Sequence, residues 1–173
     1  MALQVNNKTT IYGDRLELTF GGKPLAFGKS CSLEITAETL DTSNKMSGNW
    51  KDFLVGQLSF SVSTDSLLTY SKNAEVSDLA NVSKFGDLLA TMVKRNPIQF
   101  SLSEITKVEG ESGSGSISFN KEMDLVTGNV VITQLSVQAD NGQITTCAIS
   151  LQGTGELKIG ENFAGTAIAD SEA

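Results

Sequence analysis

The carboxylates and the two thiols of this sequence are the side chains to consider first as acids, bases, nucleophiles or metal ligands in a small active site. The chain contains no histidine, which removes Ser-His-Asp and Cys-His catalysis, histidine-ligated zinc and histidine-based pH switches. Cys31 and Cys147 are the only cysteines, and two cysteines cannot form an all-cysteine zinc site. We expect two buried thiols, and whether they lie close enough for a disulfide stays open at this stage.

Three carboxylate pairs could in principle supply acid–base catalysis, namely Asp78 with Asp87, Glu109 with Glu111, and Glu38 with Asp140. A glycosidase needs such a pair at a fixed separation across the scissile bond, and one tryptophan and two tyrosines offer little aromatic surface for a sugar. The loop Asp140-Asn141-Gly142 lacks the spacing of a calcium-binding loop. We therefore expect no catalytic residues, no metal and no cofactor, and we predict that the protein is not an enzyme.

The length and the charge limit the classes of protein to which this chain can belong. The 173 residues and 18.3 kDa fit one domain, and the net charge of −7 argues against a nucleic-acid-binding surface. No apolar stretch approaches the ~20 residues of a membrane span, and the N-terminus lacks the features of a signal peptide. We expect a protein that does not bind membranes.

Period-two alternation of apolar and polar residues predicts strands over most of the chain. It begins with Leu16, Leu18 and Phe20, continues over residues 31–38 and is clearest over residues 57–64. It places Leu58, Phe60 and Val62 on a buried face. After residue 97 the alternation resumes, which predicts seven to nine antiparallel strands.

Glycines predict the turns. Thr127-Gly128-Asn129 and Asp140-Asn141-Gly142 are typical of hairpin turns, and Gly153-Thr154-Gly155 is predicted to separate a last short strand over residues 156–159. Residues 110–115 predict a flexible Ser/Gly-rich loop. We predict a single β domain over residues 1–159 and a flexible acidic C-terminal tail over residues 160–173.

The period changes to that of a helix in one segment. Its apolar positions recur three and four residues apart, at Val82, Phe85, Leu88, Leu89, Met92 and Val93. Ser83 is a candidate N-cap, and Pro97 ends the segment. The predicted fold class is mainly β: an antiparallel β-sandwich or barrel with one short flanking α-helix at about 83–96.

The segment from Glu38 to Gly56 is predicted to be a loop much longer than usual, and long loops in compact domains are often functional. It contains mixed charges and several large apolar residues. Those apolar residues could fold back on their own domain or order against a neighbouring subunit, and the residues alone leave both alternatives open.

Two segments resemble the siphophage major tail proteins, the subunits of the tail tube. In the first, Asp41-Thr42-Ser43-Asn44-Lys45 leads to Trp50 and Gly56 and then to the alternating strand that begins at Gln57. In the second, residues 83–100 are similar to the family's helix and the strand after it. Together they cover about a quarter of the chain, and they are matches of composition and spacing.

The resemblance implies a structural subunit of a bacteriophage tail tube. It implies self-assembly into stacked rings, typically hexameric, around a channel for DNA passage. The partners would be the protein itself, other phage tail proteins, and DNA only in passing through the lumen without sequence specificity. The protein would be made in the host bacterial cytoplasm, from a phage or prophage, and would end in the virion.

The long loop of this chain is similar to the family's loop that reaches between tube subunits. Its helix is similar to the family's helix that packs outside the ring. The expected inter-subunit contacts are therefore Leu40, Asp41, Thr42, Lys45, Met46, Trp50, Lys51, Phe53 and Leu54. Two alternatives remain. One is a tube subunit of a contractile tail or injection system. The other is a surface or carbohydrate-binding β-sandwich module, which would be a stable monomer.

Overall fold

The computed structural model describes residues 11, 13–46, 48–68, 82–109, 117–161 and 163. They form seven strands, one α-helix and a single-turn 3-10 helix, Gly13–Arg15. The strands are β1 (Leu16–Phe20), β2 (Lys23–Pro24), β3 (Gly28–Asp41), β4 (Phe53–Leu67), β5 (Ile98–Glu109), β6 (Ile117–Gln138) and β7 (Thr146–Ile159), and the helix is α1 (Phe85–Lys94). The predicted loop at 110–115 lies outside the described residues.

All seven strands belong to one antiparallel sheet in the order β2-β1-β5-β6-β7-β4-β3. The sheet rolls up so that its two ends approach each other. The short connection from β2 to β3 joins these ends: the Leu25 N–H donates to the Leu18 carbonyl at 2.9 Å. Gly28, at the start of β3, lies so close to the Glu17 carboxylate that a Cβ there would be 2.8 Å from its oxygen.

The core lies inside this roll. Buried apolar side chains from β1, β4, β5, β6, β7 and α1 form one cluster: Leu18, Phe20, Leu25, Phe60, Val62, Leu88, Phe100, Leu125, Val126, Val130, Ile149 and Leu151. Side chains from strands so far apart in the sheet can meet only if the sheet curves around them. The predicted fold class, mainly β with one short helix, is confirmed.

The sharpest packing in the core is the ring of Phe60 against two glycines. The ring lies directly over Gly153 on β7, and its Cζ would be 3.3 Å from a Cβ on Gly128 of β6. Its centroid is 5.8 Å from that of Phe100. Both glycines provide space for an aromatic ring between strands of a curved sheet.

Two glycine-based turn predictions are therefore wrong. β6 runs unbroken through residues 127–129, and β7 runs unbroken through residues 153–155. The pairing of these strands instead jumps from Thr127 with Lys158 to Asn129 with Thr154. The backbone of Gly155 has a φ of +76° there, so the glycines permit an irregularity within the strands. The predicted turn at Asp140–Gly142 is confirmed as the connection between β6 and β7.

Helix α1 begins and ends inside the predicted span of 83–96. Its N-cap is Lys84, whose backbone N–H donates to the Asp87 carboxylate at 3.2 Å. Ser83 was predicted to be the N-cap, and this prediction is wrong because Ser83 is extended. Its N–H donates to the Pro24 carbonyl, and its own carbonyl accepts from the Ala26 N–H. The helix therefore starts from a segment fixed beside β2, and Leu88 enters the core.

The chain remains attached to the sheet just past the predicted domain end at residue 159. The Gly160 N–H donates to the Leu125 carbonyl at 2.8 Å, and the Phe163 N–H donates to the Gly160 carbonyl at 3.0 Å. A Cβ on Gly160 would overlap the Asp124 carbonyl oxygen. The rest of the predicted tail, residues 162 and 164–173, lies outside the described residues.

The packing of Phe60 predicts the effect of adding one methyl group. Gly153→Ala should lower the free energy of unfolding by about 1–3 kcal/mol, because the new methyl overlaps the ring and forces the core to shift. Urea unfolding followed by circular dichroism measures this change. Gly86→Ala is the matched control, since no atom lies within 4 Å of its added methyl, and it should be neutral or slightly stabilising. Equal stability of the two variants would contradict the packing described here.

Candidate assembly surface

The β3–β4 hairpin extends beyond the rest of the sheet as an arm, residues 35–59. β4 pairs with β7 only from Ser61 to Leu67. Before Ser61 it pairs with β3 alone, as far as the pair Asp41 with Phe53. The eight residues from Phe53 to Phe60 span about 25 Å at strand rise. The predicted loop at 38–56 is thus wrong at its two ends, which are strand, and the connection itself is residues 42–52.

An apolar row runs along one face of the arm: Ile35, Phe53, Val55 and Leu58. Directly paired residues share a face of a sheet. The pair Leu33 with Val62 packs on the core, and the next pairs on that face are Ile35 with Phe60 and Ala37 with Leu58. All four side chains of the row are more than half exposed, and Leu58 is 72% exposed. The core-side face therefore continues into solvent along the arm.

A β-bulge keeps the apolar residues of β4 on this face to the end of the arm. The pairing passes from Ala37 with Leu58 to Thr39 with Val55, so Gly56 and Gln57 together oppose Glu38. Without the extra residue, Val55 and Phe53 would point to the opposite face. The backbones are close at this point, since a Cβ on Gly56 would lie 3.3 Å from the Glu38 carbonyl oxygen.

The tip loop, residues 42–52, is organised by short-range hydrogen bonds. The Thr42 N–H donates to the Asp52 carbonyl at 2.9 Å, and the Asp52 N–H donates to the Ser43 hydroxyl at 3.0 Å. The Ser43 N–H donates to the Asp41 carboxylate at 2.9 Å. The Ser43 hydroxyl and N–H together hold the pKa of Asp41 below its usual value. These bonds join residues of the tip loop to one another and to the end of the arm.

The structure places all nine predicted contact residues on this arm, and all are exposed. Leu40, Asp41, Phe53 and Leu54 lie in its strands, while Thr42, Lys45, Met46, Trp50 and Lys51 lie in the tip loop. Trp50 is 86% exposed and Met46 is 93% exposed. Leu40 and Leu54 pair with each other on the face opposite the apolar row.

Sequence analysis missed three members of the surface, Ile35, Val55 and Leu58. It assigned Leu58 to the core together with Phe60 and Val62. The alternation correctly placed Leu58 on the same face as Phe60. The buried part of that face ends at Phe60, however, one residue pair before Leu58. The sequence carries no signal for this boundary, because the alternation of residues 57–64 continues across it.

The groups that could do chemistry do not converge. Glu38 lies on the arm and Asp140 lies beyond the other end of the strands, so this predicted pair is not formed. The other two pairs include Asp78 and Glu111, outside the described residues. Cys31 pairs with Thr64 on one side of β4, and Cys147 pairs with Ser66 on the other. Two strand spacings separate them by at least about 9 Å, too far for a disulfide, and both are free.

Burial and the nearby Glu17 carboxylate raise the pKa of the Cys31 thiol, so it is a poor nucleophile at neutral pH. Within the described part of the chain, no three cysteine, aspartate or glutamate side chains gather where they could hold a metal ion. The same residues contain no helix long and apolar enough to cross a membrane.

Comparison with solved structures identifies the fold. The chain is similar to a protein in the virion of the native gene transfer agent particle, with a TM-score of 0.62 at 15% identity over 87% of this chain and 98% of that one. It is also similar to a protein in the tail of the empty gene transfer agent particle, with a TM-score of 0.59 at 17% identity over 87% and 98% of the two chains.

A third similar structure is the tail tube of SPP1, with a TM-score of 0.57 at 16% identity over 88% of this chain and 80% of that one. No protein-family model matches the sequence, and no curated protein matches it. The chain therefore has the fold found in these tail and virion proteins, over nearly its whole length.

The local bonding of the tip loop predicts that the fold does not depend on it. Replacing residues 42–52 by a two-residue Asn-Gly turn should leave a folded protein, because this dipeptide closes a β-hairpin directly. Far-UV circular dichroism should be nearly unchanged, and the melting temperature should stay within a few degrees. A large loss of stability would show that Trp50 or Met46 packs on the body.

Proposed function

We propose that the protein is the structural subunit of a bacteriophage tail tube. Copies self-assemble into rings, the rings stack, and the stack encloses a channel through which DNA passes. The observation that carries the proposal is the apolar row of the arm, Ile35, Phe53, Val55 and Leu58, which continues the core-side face of the sheet and is covered by nothing among the described residues.

A two-stranded hairpin is marginally stable in water without a surface to pack on. Covering each large side chain of the row contributes about 1.5–3 kcal/mol. A second copy of the chain supplies that cover in a homo-oligomer, and the row then becomes part of a core shared between neighbours. An apolar patch of this kind on a monomer is typical of a protein-interaction site.

The sheet also has an open edge. β3 is the last strand of the sheet and pairs on one side only among the described residues. An unpaired edge of 14 residues favours association with another chain. In a closed ring, the β3 edge of every copy meets the same surface of its neighbour. The backbone hydrogen bonds of that edge are then satisfied, and no copy is left with a free edge.

The similar folds support this assembly. The gene transfer agent tail has C6 symmetry, and we extend that number to six subunits per ring here. The nine residues of the arm and tip named from the sequence, with Ile35, Val55 and Leu58 added, form the inter-subunit surface. Residues 1–159 act as one tube domain in this assembly, and the protein is located in the virion.

The net charge of −7 suits a channel for DNA. DNA carries about one negative charge per 1.7 Å of its axis. An acidic wall repels it over a Debye length of about 8 Å at physiological salt, so DNA slides without binding. The role is mechanical, without a catalytic step, cofactor or membrane.

Because the apolar row is exposed in the monomer, substitutions in it should impair assembly and leave folding intact. Phe53→Ser with Val55→Ser should leave the monomer folded, because both side chains are exposed in it, and should reduce ring and tube formation at least tenfold. Negative-stain microscopy and light scattering measure assembly, and thermal melting checks the fold. Ile159→Ser is the control, since it removes a similarly exposed apolar side chain from β7. Normal assembly of the double variant would refute the role of the row.

Assembled tubes should not retain DNA. At about 150 mM salt, double-stranded DNA should pass through a filter that holds the tubes, because like charges repel within the Debye length. A basic protein at the same concentration serves as the positive control. Tight retention that falls steeply with added salt would instead indicate lysine and arginine contacts to phosphates and would contradict an acidic lumen.

A further inference from the structure

The turn between β6 and β7 contains the one Asn-Gly pair of the sequence, Asn141-Gly142. Every other asparagine of the chain is followed by a residue with a side chain. Asparagine is one of the chemically labile residues of proteins, and a glycine after it leaves the next backbone nitrogen without steric cover. The assembly surface on the arm does not include this pair, so any reactivity of the turn is a separate property of the chain.

The two residues lie at the centre of a tight turn. The Gln143 N–H donates to the Asp140 carbonyl at 3.1 Å and closes the turn. The φ of Gly142 is +78°, whereas the φ of Asn141 is negative. This combination is that of a type II turn, which favours glycine at its third position. All four residues of the turn are exposed, so water reaches the Asn141 side chain freely.

The rest of the protein does not hold the two groups that would react. Among the described residues, no hydrogen bond is made by the Asn141 side chain, the Asn141 carbonyl or the Gly142 N–H. No atom lies within 4 Å of a Cβ placed on Gly142. The peptide unit between the two residues can therefore rotate without breaking a hydrogen bond. The side-chain carbon of Asn141 can then approach the Gly142 nitrogen to the distance of about 3–3.5 Å from which bonds form.

We propose that Asn141 is a site of spontaneous deamidation. The Gly142 nitrogen, after it loses its proton to hydroxide, forms a bond to Cγ of Asn141 and closes a five-membered succinimide ring. The bond from Cγ to the side-chain nitrogen breaks, and this nitrogen leaves as ammonia. Water then opens the ring at either of its two carbonyl carbons, which restores the Gly142 N–H and leaves aspartate or isoaspartate. Water is the only co-reactant, and no enzyme, metal or cofactor takes part.

The connection around the turn has room for both products. The pairing of β6 with β7 begins at Gln138 with Thr146, so residues 139–145 lie outside the paired strands. Isoaspartate routes the backbone through the former side chain and lengthens it by one carbon atom. A surface connection of this kind accepts a small insertion more readily than a paired strand does. The succinimide can therefore form and reopen in the folded protein while the sheet stays intact.

Each conversion adds a carboxylate next to Asp140. The Asp140 carboxylate already accepts a hydrogen bond from the Gln138 side-chain amide at 3.1 Å. The new carboxylate makes the net charge of the chain more negative than −7. Water and salt screen the repulsion between two exposed charges, so the turn accepts the second carboxylate. The charge of this turn therefore increases with the age of the protein, whether or not the protein is assembled into a tube.

Incubation of the folded protein in warm, mildly alkaline buffer tests the proposal. Peptide mapping by mass spectrometry should find aspartate and isoaspartate in place of Asn141, formed at least tenfold faster than at any other asparagine. Asn129 is the internal comparison, because it pairs with Thr154 within the sheet and precedes the β-branched Val130. The rate should rise with hydroxide concentration, because the nitrogen reacts after losing its proton. Isoaspartate is the decisive product, since direct hydrolysis of the side chain gives aspartate alone.

Asn141→Gln is the matched control. It keeps an amide in the turn, but ring closure would need a six-membered ring, so the gain of charge should be at least tenfold slower. Ion-exchange chromatography follows the acidic species, Asn141→Asp shows where that species elutes, and far-UV circular dichroism checks that each variant is folded. Equal acidification of the wild-type protein and Asn141→Gln would overturn the proposal. Conversion of Asn141 in urea but not in the folded protein over the same time would also overturn it, because the folded turn would then block ring closure.

Discussion

The packing of one aromatic ring determines how the sheet can curve. Phe60 lies over Gly153 and close to Gly128, on strands that are not its direct neighbours in sequence, and it meets Phe100 across the core. A side chain at Gly153 would overlap the ring of Phe60, so the ring or the strand would have to move. This contact lies in the core, inside the roll that brings the two ends of the sheet together.

The same strand connects the core with the assembly surface. Phe60 is buried, and the next residue on its face, Leu58, is exposed. The buried core thus ends, and the exposed face of the arm begins, within one residue pair of β3 and β4. The bulge at Gly56 and Gln57 keeps apolar side chains on that face beyond the boundary. In the proposed assembly, a neighbouring copy that covers the arm would extend the packing of the domain core rather than form a separate patch.

The sequence predicted the class of fold and located the arm, because alternation and helical periodicity depend on which face is buried. It failed where a glycine had two possible roles. Gly128 and Gly153 were assigned to turns, and only the three-dimensional neighbour, Phe60, shows that they lie within strands. The arm was predicted to be a loop for a related reason: polar residues and Trp50 indicate exposure, and an exposed hairpin has the same composition as a loop. Only the register of β3 and β4 shows that three more residues belong to the exposed row, namely Ile35, Val55 and Leu58.

The separation of the two cysteines by β4 has a consequence for the proposed tube. Neither thiol can oxidise to a bond within the chain, and the raised pKa of Cys31 keeps it protonated at neutral pH. Thiol exchange at Cys31, which requires a thiolate, is therefore slow. In the proposed tube, contacts between copies would therefore stay noncovalent when the surroundings change from reducing to oxidising.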